Sequence, residues 1–183
     1  MGVGKWANIV HLIDFGLSKK YRNPKTHAHI VHKDGLGLTG TAIFTSINSH
    51  LSLELGRRDD LESLAYILFY FLWGFLPWQG LENKDMLESK RTISTYSLFH
   101  KLSMEFRAFL EHCRSLSFDD KPNYSHFLTL FDNLSSGEVL LSDTVFDWDV
   151  AGEKIVRRGC RESIKKSGIL KCEGSHPVKH CTG

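Results

Sequence analysis

The chain has 183 residues, a formal net charge of +2 and four cysteines. That length suits one folded unit with a tail and suffices for a buried core, and the charge balance speaks against a nucleic-acid or membrane-surface role driven by bulk charge. No stretch reaches the ~18 uninterrupted apolar residues of a membrane span, no leader pattern opens the chain, and sparse cysteines point to a reduced, intracellular setting, cytoplasmic and/or nuclear.

In chain order, residues 8–13 form a short apolar run with β-branched members and predict a buried strand. The run ends at Asp14-Phe15-Gly16. Residues 17–50 carry no sustained helical or strand period, which predicts a long loop of the kind that usually has a function. Residues 59–73 are apolar on nearly every face and predict a helix buried on all sides. Asp59 and Glu62 have capping-box spacing at its start, and Gly74 is placed to terminate it. Residues 103–116 predict an amphipathic helix capped by Ser103, with Phe106, Phe109, Leu110, Cys113 and Leu116 on one stripe. A further short helix is predicted around Phe127, Leu130, Phe131 and Leu134, after a turn at Asp119-Asp120-Lys121-Pro122. Residues 151–183 are polar and nearly free of aromatics, which predicts a flexible tail. The organisation expected is one mainly helical unit over 1–150 and a tail over 151–183. Cys160, Cys172, His176, His180 and Cys181 lack the paired Cys-x-x-Cys spacing of common zinc sites. Gly2, Gly4 and Lys5 fit neither phosphate-loop pattern and predict a turn before the strand. Trp78 and Trp148 read as packing anchors.

Asp14-Phe15-Gly16 alone is also an ordinary strand-ending turn, in which Asp bonds the backbone and Gly allows positive φ. Its context is more specific, because a strand, this tripeptide, a long loop and an apolar helix follow one another as in protein kinases. The match extends through 13–30, Leu38-Thr39-Gly40-Thr41-Ala42, Ser46-Ile47-Asn48 with His50-Leu51, Arg57-Arg58-Asp59-Asp60, Leu76-Pro77-Trp78-Gln79-Gly80-Leu81, Cys113-Arg114-Ser115-Leu116, Phe118-Asp119-Asp120-Lys121-Pro122 and Phe146-Asp147-Trp148. Over residues 8–149 the chain resembles the serine/threonine protein kinases of the casein kinase 1 family.

The resemblance implies the C-terminal helical lobe of the kinase-like α+β fold, without the N-terminal lobe. Asp14 would hold the Mg²⁺ of Mg-ATP, as cofactor-binding and metal residue. Phe15, Gly16, Lys19, Lys20, Thr39, Gly40 and Thr41 would belong to the activation segment facing a protein substrate, with Lys19, Lys20, Arg22 and Lys25 meeting acidic groups. Asp60 would accept backbone hydrogen bonds from a catalytic loop. Asn48 and Lys121 would form the structural pair that replaces a Glu–Arg bridge. No residue of the chain matches the catalytic base, the Gly-rich loop or the ATP lysine, so no phosphotransfer is expected from this polypeptide alone. Asp60 without its partners and an unpaired strand edge would leave the unit marginally stable. Ile43 stands where the family has an arginine, residues 82–90 hold three acids against two lysines, and 93–105 is shorter than in the family. Losing cations weakens an anion site. Two other roles stay open: a truncated pseudokinase that docks a protein partner, and a remnant without function.

Overall fold

The computed structural model describes residues 9–100 and 102–137. Within them, six helices follow one another: α1 (Ile47–His50), α2 (Arg57–Trp73), α3 (Asn83–Thr92), α4 (Thr95–Phe99), α5 (Met104–Ser115) and α6 (Tyr124–Gly137). The described part is thus mainly helical and contains no strand, only an isolated antiparallel bridge between Arg22 and His29. The turn predicted at Gly2, Gly4 and Lys5, Phe146-Asp147-Trp148, the cysteines and histidines beyond 151 and the tail all lie outside the described residues.

Residues 9–13 correct the expectation of a buried strand. They are extended chain without β pairing, with Val10, Leu12 and Ile13 exposed. A strand needs a neighbour to receive its backbone hydrogen bonds, and no described segment offers an edge. Residues 17–46 form the long loop that the missing periodicity predicts.

Helix α2 starts two residues earlier than its apolar run. Gly56 is the N-cap, and Asp59, at the third helical position, takes the Gly56 amide proton on Oδ2 at 2.8 Å. The carboxylate thus returns to the cap from inside the first turn, and Glu62 is left for the core. Gly74 ends the helix in the left-handed region at φ 77°, its N–H bonded to the Tyr70 carbonyl, as its position predicts. Ala65, Tyr66 and Phe69 turn inward, but Phe71 is 75% exposed and Leu64 and Leu72 are open as well. The expectation of burial on all sides therefore fails on one side, where no described element packs.

The core gathers on α5. Phe109, Leu110 and Cys113 meet Tyr66 and Phe69 of α2, Leu98 and Phe99 of α4, and Phe127 of α6. The rings meet edge to face: Phe69 with Phe99 at 5.4 Å between centroids, Phe109 with Phe127 at 4.8 Å, and Tyr66 with Trp78 at 4.9 Å. This geometry adds about 0.5–1.5 kcal/mol per pair beyond area burial. Ser103 caps α5 as predicted, accepting the Glu105 N–H on its hydroxyl.

Helices α3 and α4 carry no long apolar period. In α3 only Met86 and Lys90 are buried, four residues apart on one face. Helix α4 is a single turn capped by Ser94, which delivers Leu98 and Phe99 to the core.

Candidate functional site

Asp14, Phe15 and Gly16 form an exposed turn. Asp14 has φ 61°, a region that Asp tolerates better than most residues because its short side chain bonds locally. Here its Oδ1 accepts the Gly16 N–H at 3.3 Å, and the Phe15 carbonyl accepts both the N–H and the hydroxyl of Ser18. The turn is held by its own hydrogen bonds and presents the Asp14 carboxylate to solvent.

The loop then runs beside a cleft of about 530 Å³ lined by Lys19, Lys20, Arg22, His29, Lys33 and Glu54 among others. Lys19 forms an ion pair with the buried Glu54 while 54% of its own side chain stays exposed, and this bond holds the Glu54 carboxyl below the usual carboxylate range. Lys20 stays exposed. The loop is pinned to the helical body through rings: Arg57 lies 4.4 Å from the Tyr21 centroid, and His29 and His32 meet Phe118 edge-on at 4.7 and 5.1 Å. Such contacts hold a loop that has no secondary structure of its own.

Thr39, Gly40 and Thr41 form a second, tighter loop, organised by Ser49. The Ser49 hydroxyl accepts the Thr39 N–H at 3.0 Å and donates to the Thr39 carbonyl at 2.9 Å, and the Thr45 hydroxyl donates to the same carbonyl at 2.8 Å. Gly40 takes φ 91°, which L side chains rarely adopt. The Thr41 carbonyl closes the turn by accepting the Phe44 and Thr45 amides. Thr41 itself is exposed.

Of the two residues that the resemblance pairs, Asn48 bonds elsewhere. Asn48 Nδ2 donates to Asp59 Oδ1 at 2.8 Å, joining α1 to the first turn of α2. Lys121 is exposed, and no hydrogen bond or ion pair joins it to Asn48. The pull on Asn48 comes from Asp59, which is buried and needs acceptor bonds filled. Asp60 faces the surface, and its carboxylate takes part in no hydrogen bond or ion pair. Surrounding protein mass raises its pKa, and the neighbouring Asp59 charge adds to the rise. The two arginines before them clamp the loop after α5: Arg57 donates to the Asp119 carbonyl and Arg58 to the Leu116 carbonyl, both at 2.7 Å.

Sequence reasoning missed Lys90. Its side chain is 0% exposed, and its Nζ lies 2.8 Å from the Ala42 carbonyl, 2.7 Å from that of Thr45 and 3.1 Å from His50 Nε2. The rings of Tyr66 and Trp78 flank it with centroids at 5.1 and 5.4 Å. Burial pulls its ammonium down to about 7, with Glu62 opposing and Arg114 assisting. A polar network lies behind it. Glu62 accepts from the Tyr66 hydroxyl and from Arg114 Nε, and Arg114 also donates to the Tyr66 oxygen and the Lys90 carbonyl. The sequence held one signal for Lys90: the four-residue spacing from Met86 on an otherwise polar helix.

Mg²⁺ takes six oxygen ligands and is usually held by one or two carboxylates together with substrate phosphates. Asp14 offers one carboxylate, with one oxygen already bonded to the Gly16 amide. Among the described residues no three His, Cys, Asp or Glu side chains gather into a group able to hold a metal. One carboxylate supplies a single ligand of the six, so the described donor set does not complete a Mg²⁺ site. None of the helices of the described residues is long and apolar enough to cross a membrane. No protein-family model matches the chain.

Proposed function

We propose that the chain is the C-terminal, helical lobe of a casein kinase 1-type serine/threonine protein kinase, and that by itself it does not transfer phosphate. The observation that carries this reading is the order of independent motifs: Asp14-Phe15-Gly16, then Thr39-Gly40-Thr41, Ser46-Ile47-Asn48, Arg57-Arg58-Asp59-Asp60, Leu76-Pro77-Trp78 and the 113–122 block. Local geometry supports it. Asp14 is offered outward on a self-bonded turn, Thr41 is exposed on a fixed loop, and Asn48 ties that loop's base to α2. Asp60 without a partner, exposed apolar residues over 9–17 and the open side of α2 fit a lobe whose catalytic-loop and strand neighbours lie outside the described residues.

Phosphoryl transfer depends on positioning and electrostatic stabilisation. In this reading Asp14 supplies one carboxylate toward Mg-ATP, and the Thr39–Gly40–Thr41 loop orients a protein substrate. The residue that steers the acceptor hydroxyl must come from a catalytic loop earlier in the kinase sequence, and the groups that cover the phosphates from the other lobe. The test is a single polypeptide joining the preceding part of an active casein kinase 1 enzyme to this chain just before Asp14. Phosphotransfer to a Ser/Thr peptide is expected from the joined protein, lost on Asp14→Asn and absent from the chain alone. A folded joined protein with no Asp14-dependent activity would overturn the reading. The exposed apolar side of α2 favours a second role, docking of a protein partner by a lobe that does no chemistry, and an inactive joined protein would leave that one standing.

A further inference from the structure

The contact between His50 and Lys90 has a donor–acceptor balance that only one protonation boundary breaks. A lysine ammonium carries three protons, and three acceptors surround Lys90 Nζ: the Ala42 carbonyl, the Thr45 carbonyl and His50 Nε2. All three bonds form at once only when Nε2 is unprotonated. That same Nε2 lies 3.1 Å from the Ala42 carbonyl oxygen. When His50 takes a second proton, two N–H donors face each other at 3.1 Å; the Ala42 oxygen has a lone pair for each, but the third Lys90 proton loses its acceptor and two cations share a partly buried site. The opposite change is tolerated. A Lys90 amine keeps two protons for the carbonyls and can accept the third bond from an Nε2–H tautomer.

We propose that His50 and Lys90 form an acid-released clasp, which holds the 41–45 turn against α3 while His50 is neutral and lets it go when His50 is protonated. The groups around the clasp do not relieve the conflict. On α2, the Glu62 carboxylate is engaged by Arg114 and the Tyr66 hydroxyl; on α5, the Arg114 guanidinium adds positive charge. Cys113 of α5 is a buried thiol held uncharged, its pKa pushed up to about 12. Trp78 completes the enclosure, its indole N–H donating to the Ile43 carbonyl at 2.8 Å. His50 sits below its usual 6.5, through burial first and the Lys90 charge second, with the Ala42 bond opposing. A group whose folded pKa is depressed contributes stability above the unfolded value and loses it as pH falls through the folded one. The clasp is therefore intact above 6.5 and opens at lower pH.

This inference does not rest on the kinase reading. The test is NMR of the full chain between pH 8 and 5, following the His50 imidazole, the Phe44 and Thr45 amides and the Trp78 indole N–H. The expected result is one shared midpoint below 6.5, with the Phe44 and Thr45 amides losing exchange protection at least tenfold beyond the intrinsic pH effect. In His50→Gln the amide can accept from Lys90 and donate to Ala42 at every pH, so the transition should vanish. Persistence of the transition in His50→Gln would overturn the clasp. If that variant does not fold, the wild-type data decide: a His50 midpoint at or above 6.5, or one separate from that of the turn amides and the indole, overturns it equally.

Discussion

Gly56 illustrates how a single residue can fix a junction. Its φ and ψ of −125° and −171° are open to any residue, yet a Cβ there would lie 2.7 Å from the Phe118 carbonyl oxygen. The neighbour is backbone, held by the Arg57 and Arg58 bonds to the same loop, so it cannot swing aside as a flexible side chain would. Gly56→Ala is therefore expected to cost about 1–3 kcal/mol, the usual range for overpacking. Urea unfolding should show the lower midpoint with an unchanged slope. A variant as stable as the parent would mean that the 116–120 loop yields freely. Lys90 makes the complementary point: one side chain binds both the Ala42 and the Thr45 carbonyls at the base of the Thr41 loop.

Among the elements, α1 is too short to be stable alone and depends on its ends. Ser46 caps it, accepting the Ser49 N–H, and Asn48 fastens it to Asp59. Asn48→Ala removes a bond to a buried carboxylate, and a loss of about 1.5–3 kcal/mol is expected, the range for hydrogen bonds to charged groups. Thermal unfolding of the variant should fall accordingly, while Lys121→Ala should change nothing measurable. An equal loss in both would restore the Asn48–Lys121 pairing. The long apolar run of α2 and the apolar stripes of α5 and α6 were legible from the sequence, as were the Ser103 cap and the Gly74 stop. Helices α1, α3 and α4 were not, because a few buried side chains set by tertiary contact leave no period to read. Residues 9–13 misled for the converse reason: an apolar β-branched run looks like a strand whether or not an edge is present to pair with it. At the site, Asp14, Gly16 and the Thr39–Thr41 loop could be located from their motifs. The ion pair of Lys19 with Glu54 and the burial of Lys90 could not, since both depend on partners 35 to 48 positions away.

At the scale of the whole molecule, the described residues divide into a core that holds one connected polar network and faces that stay open. Glu62, Tyr66, Arg114 and Lys90 close one polar network inside, while Asp60 takes part in no hydrogen bond or ion pair and the 9–17 segment and the outer side of α2 are exposed. In the kinase reading the missing cover is the part of the enzyme that holds nucleotide, so binding and cover should appear together. Titration of Mg-ATP by calorimetry compares the chain alone with the polypeptide joined before Asp14 to the preceding part of a casein kinase 1 enzyme. No saturable binding is predicted for the chain alone, and binding in the range of about 1 μM to 1 mM, weakened by Asp14→Asn, for the joined protein. Tight, Asp14-dependent binding by the chain alone, or none by a folded joined protein, would contradict the account.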